Sequence, residues 1–160
     1  MCKGVIFFLS CISCLSAMTY QKVDDGYLVK VFPGEEIVAS LLQLAEKEHI
    51  LGASVTGIGG VKEVEIGYFD LKKNDYVRKK IQENLELVSL LGNFSYIDSK
   101  KPFYHLHATL GTRSYKAIAG HLFSAVVSIT AEIHLITFSE KIVRSYDPTF
   151  RLNLWNLNRS

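Results

Sequence analysis

FYHLHATLGTRSYKAIAGHL, Phe103–Leu122, carries three of the five histidines of this 160-residue chain on either side of a turn. Tyr104 to Leu110 is rich in residues that suit a pleated, half-buried surface and is read as a strand. Side chains alternate along a strand, so His105 and His107 point to one face. The turn Gly111 to Lys116 returns the chain through Ala119 to Leu122 as the second strand of a hairpin, which brings His121 near the first pair. Three neutral imidazoles with no thiolate suit zinc and leave a fourth position for water. A site of this kind is expected to lose metal as pH falls through the ordinary histidine range near 6.5. The competing reading is structural, with the rings filling an apolar cleft or a subunit interface and bonding to backbone.

Downstream, FSAVVSITAEIHLITF is the most apolar strand candidate and is expected at the centre of the sheet. Glu132 and His134 share one of its faces by alternation. Glu132 is therefore a candidate fourth ligand, hydrogen-bond partner of a ligand, or general base, against the alternative of an acid on a solvated or interface face. Ser139-Glu140-Lys141 interrupts the strand, Ile142 to Tyr146 resumes strand character, and Asp147-Pro148 turns into a tail holding Trp155, the single tryptophan. Arg144 either holds an anion or pairs with Asp147.

Upstream, GYLVKVF from Gly26 is a strand stopped by Pro33-Gly34. Ile37, Val38, Leu41, Leu42, Leu44 and Ala45 make the apolar stripe of the one dominant helix, with Glu35 and Glu36 in its first turn and His49 as a cation at its end. ASVTGIGGVKEVEIGYFDL reads as two strands bent at Gly57, Gly59 and Gly60, with Val64, Ile66 and Tyr68 on one face. Gly67 marks a bulge or a close approach. A turn at Lys72 to Asp75 leads to a strand over Tyr76 to Ile81, and another at Glu83-Asn84 to LELVSLLGNFSYI, the pattern of a β-meander. These elements predict an α+β fold: one domain, a mostly antiparallel sheet, and one main helix packed on it.

Composition narrows the function classes only slightly. At 48% apolar and 21% charged, with a formal charge of +2, the chain has globular chemistry and no charge excess pointing to a polyanion. No apolar run reaches the roughly 18 residues of a bilayer-crossing helix, so no transmembrane segment is predicted. The three cysteines, Cys2, Cys11 and Cys14, all precede Met18, which excludes a thiolate metal site or a Cys/His nucleophile in the domain. Gly57-x-Gly59-Gly60 leads into strand rather than helix and is a bend, not a phosphate loop. No G-x-S-x-G is present. Lys72, Lys73, Arg78, Lys79, Lys80, Lys100 and Lys101 form either a basic patch or ordinary solvated turns and edges.

Residues 1–17, with the apolar core VIFFLSCISCLSA, are either a signal peptide or the product of a start assigned too early, Met18 being the true one. The domain occupies residues 18–160. The protein is expected to be exported on the first reading and cytoplasmic on the second.

From Gly26 to about Leu154 the chain resembles the PPC domain, the plants and prokaryotes conserved domain of stand-alone prokaryotic proteins and of plant AT-hook nuclear proteins. ASVTGIGG followed by EIGYFD, LELVSLLGNFSYID, PFYHLHATLG, AGHL followed by VSITAEIHL, and RSYDPT carry the resemblance. It implies one helix on a mainly antiparallel sheet, a homotrimer, a DNA-binding role, and in some members a metal at the histidines matching His105, His107 and His121. Ala119, Ser99 and Phe150 depart from the family pattern in loops. No Arg-Gly-Arg-Pro hook occurs, so the minor-groove contact of the plant relatives is missing. Two functions follow as expectations. One is a trimeric binding or regulatory module, acting on DNA through basic loops. The alternative is a zinc-dependent hydrolase or lyase of unknown small-molecule substrate, with Glu132 moving protons.

Overall fold

A computed structural model describes residues 18–157. The architecture is the expected α+β one: a single helix against a 9-stranded, mostly antiparallel sheet in one domain. In chain order the elements are β1 (Thr19–Val23), β2 (Gly26–Val31), α1 (Ile37–Lys47), β3 (Ala53–Asp70), β4 (Asp75–Ile81), β5 (Leu85–Ile97), β6 (Lys101–Gly111), β7 (Ala117–Thr137), β8 (Val143–Asp147) and β9 (Leu152–Trp155). The expectations for residues 1–17 lie outside the described residues.

α1 forms where the apolar stripe predicts it, and Ile37, Leu41, Leu44 and Ala45 are buried. Its start differs from expectation in one respect, because Glu36 is the N-cap rather than a first-turn acid. The Glu36 carboxylate accepts from the Val38 and Ala39 backbone N–H groups at 3.1 and 2.7 Å, and also from Ala125 N on β7 at 3.0 Å. The cap thus fastens the helix to the sheet while satisfying orphan donors. α1 ends at Lys47, and His49 follows in the left-handed region at φ 51°.

The glycine-rich segment is one strand rather than two. β3 runs unbroken through Gly57, Gly59 and Gly60, shifting register against β5 between Gly57 and Gly59. A Cβ on Gly59 would lie 2.3 Å from the Thr130 carbonyl oxygen, so glycine here lets two backbones approach. Val64 and Ile66 are buried as expected, but Tyr68 is exposed. The meander is also corrected. β4 pairs with the second half of β3 (Val64 to Asp70), and β5 pairs with the first half (Ala53 to Val61) instead of with β4.

β7 is central, as predicted, pairing with β2, β3 and β6. It is not buried on both faces, however, since Ile129 and Ile136 are exposed while Ala131, Ile133 and Leu135 are buried. The pairings β3–β5, β5–β6, β6–β7 and β7–β3 return to their start, so these four strands close on one another. Leu87, Leu90, Phe94, Leu106, Leu110 and Val61 are among the largest fully buried side chains, and all stand on this ring. β8 forms where Ile142 to Tyr146 was expected to resume strand character, and among the described strands it adds the one parallel pair, with β5, whereas β1 and β9 are strands the sequence reading did not separate.

Candidate metal centre

The hairpin of β6 and β7 forms in the expected register, with His107 directly opposite His121. Its turn closes on itself through Thr112 N to the Lys116 carbonyl at 2.9 Å and Tyr115 N to the Thr112 carbonyl at 2.9 Å. His105 stands two positions before His107 on the same face of β6. The three imidazoles offer ligand atoms all within 4.8 Å of one another.

Two observations test whether these residues fit a metal. The Nε2 atoms of His105 and His107 are 3.3 Å apart, close to the roughly 3.3 Å edge of a tetrahedron of nitrogens bound at about 2.0–2.1 Å. His121 is buried, and its Nδ1 has no hydrogen-bond partner among the described residues. A buried polar atom is ordinarily satisfied, and this one sits in a cluster of potential donors to a metal. The residues fit.

Electrostatics favours the same conclusion. Burial lowers the pKa of His105 to about 4, helped by the charges of Arg144 and His107. His121 is also lowered to about 4, by burial first and then by His105, His107, Arg78 and Arg144. Both rings are therefore neutral at pH 7, the form that binds metal. For these two rings desolvation moves protonation below the ordinary histidine range near 6.5. His107 is exposed and opens the cluster to solvent.

The surroundings are aromatic and cationic. The Tyr76 and Phe123 rings lie 4.8 and 4.7 Å from that of His121. The Arg78 guanidinium stacks on Phe123 at 3.7 Å. Gly67 borders this group at close quarters, because a Cβ there would lie 2.6 Å from the Phe123 ring.

Glu132 does not join the histidines within the chain. It stands eleven residues beyond His121 on β7, roughly 35 Å along the strand at about 3.3 Å per residue. There it is exposed, opposite Lys30 and Ile58. Alternation does put Glu132 and His134 on one face, but strand length separates that face from the metal cluster. The pairing of Arg144 with Asp147 is not formed either. The Asp147 carboxylate accepts from Thr149 N and Phe150 N at 2.7 and 3.2 Å. Arg144 instead turns inward, donating to Ser95 Oγ, Asn93 Oδ1 and the Asn153 carbonyl at 2.8, 2.8 and 2.9 Å, with His105 Nδ1 at 3.4 Å. Asn93 was not singled out from sequence, although it is the cross-strand partner of His105 and a polar residue within an apolar strand.

Residues 18–139 match the profile of the Plants and Prokaryotes Conserved (PCC) domain. Among solved structures, a protein from Bacteroides thetaiotaomicron named a "putative dna binding protein" shares 34% identity over 89% of this chain and 99% of its own, with a TM-score of 0.84. A plant- and prokaryote-conserved (PPC) protein from Pyrococcus horikoshii shares 34% identity over 89% of this chain and 96% of its own, at a TM-score of 0.77. A metal-containing protein from Archaeoglobus fulgidus shares 36% identity over 86% of this chain and 97% of its own, at 0.75. The comparison with curated proteins returned no match.

Proposed function

Because the chain belongs to the Plants and Prokaryotes Conserved (PCC) domain family, we propose that it acts as a metal-binding PCC module in which His105, His107 and His121 hold one divalent ion, zinc by preference. The observation that carries this reading is the convergence of three imidazoles around one point, two of them with Nε2 atoms 3.3 Å apart. The metal-containing relative from Archaeoglobus supports it. Zinc so held supplies a Lewis acid and lowers the pKa of a bound water. The chain's own part is to keep His105 and His121 uncharged by burial, to fix the H-x-H pair on a strand, and to leave His107 at the solvent edge. Elemental analysis of the purified protein tests the reading directly. About one zinc per chain is expected, and a protein that takes up none when zinc is supplied would refute it.

The working assembly in this proposal is a homotrimer. The sheet face carrying Leu28, Ile58, Val88, Leu91 and Ile129 leaves these large apolar side chains exposed, a patch of the kind that partners cover. Leu28, Ile58 and Leu91 line a cleft of about 830 Å³ together with Lys30, Glu132 and His134. Thr130 Oγ1 and His134 Nε2, polar atoms without hydrogen-bond partners among the described residues, are on the same strand, the latter 4.0 Å from the Asp25 carboxylate. These are features a second copy would complete.

DNA binding is the second reading, favoured by the name of the Bacteroides relative. Lys72 and Lys73 at the β3–β4 turn, Lys79 and Lys80 on β4, and Lys100 and Lys101 at the β5–β6 turn are all exposed. Binding through them is backbone contact, so affinity should fall steeply as salt rises. A gel-shift series without that slope, or without binding, removes this reading. Because Glu132 lies far along β7 from the histidines of its own chain, the hydrolase or lyase alternative needs Glu132 from a second copy or a different proton carrier. Among the described residues no helix is long and apolar enough to cross a membrane.

A further inference from the structure

Arg144 is a buried cation without an acid. It is 4% exposed, and the acceptors of its hydrogen bonds, Ser95 Oγ, Asn93 Oδ1 and the Asn153 carbonyl, are all neutral; His105 Nδ1 lies 3.4 Å away, and it carries the ring proton when Nε2 faces a metal, so it does not accept from the guanidinium. The Phe103 and Trp155 rings flank the guanidinium at 5.4 and 5.6 Å. Among the described residues no carboxylate lies within salt-bridge distance of it. A buried charge is ordinarily neutralised by a counter-ion, because neutral hydrogen bonds recover only part of its lost hydration.

The same region holds the three histidines, and no carboxylate completes their group of ligand atoms. On the metal reading above, on which this inference rests, a divalent ion brings two positive charges and Arg144 a third. Arg78 lies over Phe123, whose ring packs on His121, and its ion pair among the described residues is a 3.5 Å contact with Glu65. The charged groups acting on His105 and His121 are, apart from the other histidines, these arginines alone. Chelation of a dication by imidazoles with two guanidinium groups nearby leaves an electropositive centre, open to solvent at His107.

We infer that the centre recognises a small oxyanion, a carboxylate or phosphate group that occupies the metal's remaining position and answers the charge of Arg144 and Arg78. The aromatic walls of Tyr76 and Phe123 suit an apolar body attached to that group. A neutral or cationic ligand gains nothing from the arginines.

The test uses the full-length protein loaded with cobalt(II), whose visible spectrum reports changes in the ligands of the metal. Acetate and inorganic phosphate are titrated separately, with acetamide as the neutral control. At least one of the two anions should shift the spectrum saturably, and acetamide should not. Acetate acting alone assigns a carboxylate, and phosphate acting alone assigns a phosphate group. A short DNA duplex that reproduces the phosphate shift would overturn the small-molecule assignment. Arg144→Gln should weaken the anion about tenfold, and Arg78→Gln severalfold, without loss of cobalt. Should Arg144→Gln fail to fold, the exposed Arg78 decides. Anion binding that is equal in wild type and the folded variants, or a spectrum that ignores both anions, overturns the inference and leaves the metal site standing. A protein that takes up no cobalt removes the metal reading and the inference together.

Discussion

On the proposed metal reading, His107 is the histidine whose loss separates metal binding from folding, because it is exposed while His121 is buried. His107→Ala should fold normally and lose zinc affinity by at least tenfold, read by competition with a chromophoric chelator. Full retention of zinc by this variant would return the rings to a structural role. The histidines also set a pH dependence. His105 and His121 have pKa values near 4 in the fold, against about 6.5 in an unfolded chain, so below 6.5 the unfolded state binds more protons. Stability of the metal-free protein should be complete above about pH 6.5 and decline as pH falls towards 4. Urea midpoints at pH 7.5 and 5 check this, and equal midpoints would contradict it. Gly92 offers a third test, since a Cβ there would lie 2.0 Å from the His105 carbonyl oxygen. Gly92→Ala should cost more than about 2 kcal/mol and displace the strand that carries His105. At this scale the three-histidine cluster was legible because period-two alternation is local. Arg144 stood out in the sequence but its surroundings did not, because Ser95 and Asn93 are 49 and 51 residues away and only the register of β5 and β8 joins them.

Among the elements, α1 depends on one cap. Glu36 accepts two helix N–H groups and one from β7, so Glu36→Ala removes a cap and strands a partly buried donor at Ala125. A loss of about 2 kcal/mol is expected in denaturant unfolding, and a change within experimental error would show that water replaces the carboxylate. The apolar stripe made α1 readable, and β2, β4, β5 and β6 followed from alternation between turn residues. β3 was divided because glycines look like breaks in a sequence, whereas here Gly59 lets β3 lie against Thr130 without ending. β1 and β9 are short edge strands whose pairing depends on β2 and β8, and Thr19–Val23 and Leu152–Trp155 show little alternation of burial.

For the whole molecule, the exposed apolar face points to self-association, and the homotrimer proposed above should appear by light scattering at micromolar concentration; a stable single-chain mass would contradict it. Which partner covers that face was not readable from periodicity, because outward apolar residues such as Ile58 and Ile129 alternate just as inward ones do. The ring of β3, β5, β6 and β7 bears on how the protein opens. Each of its strands is held by two neighbours in a closed circuit, so releasing one breaks two ladders, whereas β1, β4 and β9 each have a single partner strand. Amide protons of Leu87, Leu106 and Leu110 should therefore exchange with deuterium only when the entire chain unfolds. Those of β1 and β9 should exchange orders of magnitude sooner, by fraying, and zinc across His107 and His121 should slow the β6–β7 amides beyond the rest.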